Sequence, residues 1–77
     1  MTLIVVLEKT PGNWGAFAPD LEDSIAAVGG TREEVIENFR NALLDLLDYK
    51  REQGQPCPDV TELEIRETLP LSELIAA

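Results

Sequence analysis

Asp20, Glu22 and Asp23 crowd together just after Pro19, with Ser24 next in line. Carboxylates at that density are what a magnesium-dependent hydrolase uses to hold its metal. The pattern argues against that chemistry. It does not match a calcium-binding loop, and the chain has no histidine to activate Ser24 or to extend a metal set. Acids that follow a proline between strands bond their own backbone two residues on, so the cluster reads as a turn. Gly29-Gly30 is too short for a dinucleotide fingerprint, and no Gly-rich phosphate loop is present. Glycines there let the chain leave a strand with positive φ and enter a helix, whose early Glu33 and Glu34 would repel an anion. The single Cys57, between Pro56 and Pro58, can form no internal bridge and is too little for zinc. Trp14 has no basic surroundings to make it a stacking platform, and reads as core or interface. The expectation is a protein with no catalytic residue, no cofactor and no metal site, and hence not an enzyme.

The rest of the composition points toward partners. The 77 residues carry 15 acids and 6 bases, a formal charge of −9. Such a surface repels nucleic acid and anionic lipid and favours a basic protein. No direct nucleic-acid or membrane binding is expected. The apolar run LIVVL, followed by Glu8 and Lys9, is too short for a signal peptide or a span, which fits a cytoplasmic setting. A chain of this length makes one domain, and domains this small bury only about 60% of the surface the unfolded chain exposes. With neither disulfide nor metal to help, a second copy is the remaining support.

The elements that must position these residues are legible in the pattern. TLIVVLEK is aliphatic and β-branched, and TPGN after it suits a type II turn. NWGAFA alternates, with Trp14, Ala16 and Ala18 on one face and Gly15 and Phe17 on the other, until Pro19 closes it. SIAAV makes a third strand. Thr31 and Glu34 form a capping box, and Val35, Ile36, Phe39, Leu43, Leu46 and Leu47 then recur at helical spacing, with Gly54 and Pro56 as the stop. VTELEIRE sets Leu63 and Ile65 against Glu62, Glu64 and Arg66, a half-exposed edge strand. The predicted fold is α+β, in the order β-β-β-α-β, a small antiparallel sheet with one long helix on one face. It occupies residues 1–67. Residues 68–77 read as a tail or a short helix, too few for a DNA-binding domain.

Two features predict self-association. A helix over residues 31–53 runs roughly 34 Å at about 1.5 Å per residue, whereas a four-stranded sheet is only about 14 Å across. Leu46, Leu47 and the stem of Lys50 are expected to overhang, with Leu44 turned to water. Leu3 to Leu7 is apolar without a break, as if both faces of that strand were buried. The candidate interface is Leu3, Val5, Trp14, Leu44, Leu46, Leu47, Leu71, Leu74 and Ile75, in a dimer or a higher even oligomer. The competing expectation is that Leu71, Leu74 and Ile75 fold back over the open face of the sheet.

Trp14, Ala16, Ala18, Pro19-Asp20-Leu21, Gly29, Thr31, Glu33-Glu34 and Asn38, in this order of elements, resemble the HicB antitoxin family over about Leu3 to Pro58. The resemblance implies a reduced RNase H-type fold without catalytic acids. It also implies a binding module that sequesters HicA, a small basic toxin that cleaves messenger RNA. Complementary charge would steer such an encounter. On charge grounds alone, Glu37, Asp45 and Asp48 are the acids placed to face the partner. The chain departs from the family in having Glu22-Asp23-Ser24 where members often carry Pro-Gly-Cys, and in having no room for an operator-binding domain. The alternative reading is an orphan self-associating scaffold or a small-ligand-binding domain with no toxin.

Overall fold

Strand β1, Thr2–Thr10, turns back through Pro11 and Gly12 into β2, Asn13–Phe17. Gly12 has φ +94°, the left-handed value that the second central position of a type II turn requires. The register pairs Leu7 with Ala16 and Lys9 with Trp14 on one face of the sheet, and Val6 with Phe17 on the other. β3, Ala26–Gly29, adds to the free side of β2, with Ala16 opposite Ala27 and Trp14 opposite Gly29. A helix, α1, Arg32–Glu52, and a last strand, β4, Glu62–Thr68, complete the order. These assignments come from a computed structural model that describes residues 1–68.

The sheet runs β3-β2-β1-β4 and is mixed. The expectation of an antiparallel sheet is corrected at β4, which lies parallel to β1, with Leu3 opposite Leu63 and Val5 opposite Ile65. The cause is the crossover. β3 runs in the direction of β1, α1 carries the chain back to the starting end, and β4 must then run with β1. Parallel neighbours need a long connection of this kind, whereas a tight hairpin yields only antiparallel ones.

Both helix ends are closed by local chemistry. The Thr31 hydroxyl accepts from the Glu34 amide at 3.1 Å, while the Glu34 carboxylate reaches the Gly30 amide at 3.4 Å, one residue before the usual capping-box donor. At the other end Gly54, with φ +67°, donates to the Arg51 carbonyl at 3.1 Å, and Gln55 donates to the Lys50 carbonyl at 2.9 Å. These two bonds are a Schellman closure, satisfying carbonyls the helix would leave orphaned.

Gly29 and Gly30 do not adopt positive φ, which among the described glycines is confined to Gly12 and Gly54. Gly29 answers a different demand. A Cβ built on it would stand 2.7 Å from the Val35 amide nitrogen, so β3 passes the first turn of α1 at a distance only glycine permits.

The core lies between α1 and one face of the sheet. Leu3, Val5 and Leu7 of β1 meet Val35, Phe39, Leu43 and Leu47 of α1, with Ala16 and Ala18 filling in from β2 and the residue after it. Each such aliphatic side chain, once buried, contributes about 1.5–3 kcal/mol relative to exposure.

Candidate functional site

The acid segment between β2 and β3 is a turn. Leu21 donates its amide to the Ala18 carbonyl at 3.3 Å, and Ile25 donates to the Asp23 carbonyl at 3.0 Å. The Asp23 carboxylate is taken by Lys50, whose Nζ lies 2.7 Å away. That hydrogen bond raises the Lys50 pKa above its ordinary 10.5, against the opposing pull of desolvation. Asp20 and Glu22 stay exposed. Among the described residues no three His, Cys, Asp or Glu side chains are grouped to hold a metal ion. A cavity of about 320 Å³ opens here, lined by Leu21, Asp23, Lys50, Cys57 and Pro58 among others. Cys57 is half-buried, its Sγ 3.9 Å from the Leu47 carbonyl oxygen.

This same region removes the expected helix overhang. The turn after β2 and the segment from Pro56 to Val60 extend past the end of the sheet and wrap the last turns of α1. Leu47 is therefore only 7% exposed, Leu46 and Lys50 are half-buried, and Cys57 and Val60 pack against the core. The helix outruns the width of the sheet, but connections of eight and nine residues cover the difference.

The other candidates divide into four groups. Leu3 and Val5 are 0% exposed beneath the helix, and with Leu47 they have no surface left for a second copy. Trp14 is half-buried against the core with the Lys9 ammonium 5.9 Å from its ring centroid, and Leu44 is 52% exposed, as its position off the apolar stripe predicts. Leu71, Leu74 and Ile75 lie outside the described residues. Glu37, Asp45 and Asp48 all face solvent on the outer side of α1, where Asp48 pairs with Arg51 at 3.1 Å.

The surface not anticipated is the side of the sheet away from α1. Ile4 and Val6 of β1 are half-buried there, and Phe17 of β2 and Val28 of β3 are 37% and 65% exposed. Gly15 lies among them, directly opposite Val28. Glu8 and the β4 residues Glu62, Glu64 and Arg66 share the same side of the sheet. The unbroken run in β1 is thus half core and half open apolar surface. The signal was in the sequence: Ile4 and Val6 have the opposite parity to Leu3, Val5 and Leu7, and the TPGN turn sets Phe17 beside Val6.

Comparison with family models, with curated proteins and with solved structures gives no match. No helix among the described residues is long and apolar enough to cross a membrane.

Proposed function

We propose that the chain is a protein-binding module of the HicB antitoxin type, with the reduced RNase H-type fold of that family, and that it sequesters a small basic toxin that cleaves messenger RNA. The observation that carries this reading is the open apolar sheet face of Ile4, Val6, Phe17 and Val28 on a chain of net charge −9. Contiguous apolar surface of this kind marks an interaction site. The acidic charge selects a basic partner and repels acidic ones. The residues that carry the resemblance support the proposal by their roles: Thr31 caps the helix, Gly29 admits it against β3, and the Asn38 amide donates to the Val28 carbonyl at 2.9 Å, fastening the helix to the strand that bears Val28. Neutralisation by such a module works by covering the toxin's active site, so this chain needs no chemistry of its own.

Co-expression with any short basic protein encoded by an adjacent reading frame tests the proposal. Rescue of growth together with a co-purifying complex is the expected result, and a toxic neighbour that is neither bound nor neutralised contradicts it. The small-ligand alternative draws its support from the 320 Å³ cavity beside Lys50. It predicts ligand-dependent protection of the 20–23 segment from hydrogen exchange.

A further inference from the structure

The two edges of the sheet are finished differently. β3 is four residues long, and the carbonyl of Val28 is already engaged by Asn38. β4 runs seven residues along the far edge, and no described strand pairs with its outer side. An exposed edge of that length is a template for another strand, and proteins usually guard it with a bulge, a proline or charge. β4 has no proline, and its register on β1 is continuous, without a bulge. It has charges, but of mixed sign: Glu62, Glu64 and Glu67 stand with Arg66, and Glu64 and Arg66 lie on the open face and pair with each other at 2.7 Å. α1 lies closest to β2 and β3 and reaches β4 at its N-terminal end, through the Arg32–Glu67 ion pair. Leu63 and Ile65 are consequently only half-buried, and a groove of about 140 Å³ opens beside them, lined by Arg40, Leu44, Leu47 and Leu63 among others.

We infer that β4 pairs antiparallel with β4 of a second copy about a two-fold axis through Ile65, joining the two sheets into one. A two-fold contact requires the strand to complement its own reverse. Centred on Ile65, Glu64 faces Arg66 of the second copy, and Arg66 faces its Glu64, while Ile65 meets its own copy on the helix side. Centred on any of the glutamates, a carboxylate faces itself; centred on Leu63, Glu62 faces Glu64; centred on Arg66, two guanidinium groups meet; centred on Thr68, the facing residues fall outside the described strand. Directly opposed like charges destabilise a strand pair and opposite charges stabilise it, which selects the Ile65 register.

The helix side of that register is consistent. Leu63 comes to lie opposite Glu67 of the second copy, and Arg40 lines the groove beside Leu63. Among the described residues Arg40 has no ion pair, and Glu67, held by Arg32 of its own chain, has a second carboxylate oxygen to offer it. The helices do not collide. From β2 of one copy to β2 of the other is five strand spacings of about 4.8 Å, or about 24 Å, against a helix diameter of about 10 Å. The self-association expected from composition is thereby placed at β4, away from β1 and the helix end, and it holds whether or not a toxin occupies the open face.

Sedimentation of the full chain over a concentration series, with Arg66→Glu, Glu64→Arg and the double reversal, tests the register. The unaltered chain is expected to dimerise, each single reversal to weaken the dimer roughly tenfold by setting like charges opposite each other twice, and the double reversal to restore it. Both side chains are changed on the exposed face, and circular dichroism verifies the fold. As a second readout, Ile65→Cys in a Cys57→Ser background is expected to cross-link to itself, because opposed Cα atoms in such a pair lie about 4.5–5.5 Å apart, within disulfide reach. A chain that remains monomeric throughout, single reversals without effect, a double reversal that fails to recover, or no cross-link at position 65 overturns the inference.

Discussion

The sheet has two faces built from the same five-residue run, and they end in different surroundings. Leu3, Val5 and Leu7 point into α1 and are sealed; Ile4 and Val6 point away and share an open surface with Phe17 and Val28. Side-chain alternation along a strand makes this division automatic. A single helix can cover only one side. Apolar residues on the covered side hold the fold together, so those on the uncovered side are free to serve recognition. The comparison predicts that substitutions on the two faces separate stability from binding.

The largest effect is expected on the covered face. Phe39, 1% exposed at the centre of the core, loses about 3–5 kcal/mol of stability on Phe39→Ala, measured by urea unfolding. A loss below about 1 kcal/mol, the level of a surface change, breaks the comparison at its strong end. Next comes the contact between β3 and the helix start. Gly29→Ala places a methyl 2.7 Å from the Val35 nitrogen, which is backbone and cannot swing aside, so a loss of about 1–3 kcal/mol is expected. Gly15→Ala is the control on the open face, where the nearest atoms to an added Cβ are 4.0 Å away.

A smaller effect concerns the ion pair that ties the β2–β3 turn to the helix end. Because the folded state raises the Lys50 pKa above 10.5, the pair's contribution to stability is complete below pH 10.5 and is lost as the pH climbs through the raised value. Asp23→Asn removes the partner. The stability gap between the two proteins should be constant near neutral pH and close at strongly alkaline pH, and a gap that widens there reverses the sign and rejects the assignment.

Much of this architecture was legible because it is local. Thr31, Glu34 and the 3.6-residue apolar stripe define α1 to within a residue at each end, and Pro11-Gly12 defines the hairpin and its register. What escaped was decided by distant parts of the chain meeting. The direction of β4 depends on where the helix delivers the chain. The cover over Leu47 and Lys50 comes from the turn near Asp23 and from Cys57, which no periodicity within the helix reveals. In sequence Gly29 reads as a conformational residue, whereas its role is clearance against Val35, a contact between elements. The open face is hidden for a simpler reason: an unbroken apolar run reads as burial on both sides, whereas only the odd-numbered positions need it.

The claim that the open face is the binding face is tested most directly by Gly15→Lys with Val28→Glu, an opposed pair of opposite charges on that face, titrated against a small basic partner of the proposed type. The account predicts unfolding stability within about 0.5 kcal/mol of the unaltered chain and no detectable complex. A complex of undiminished affinity, formed by a stably folded double variant, would contradict it.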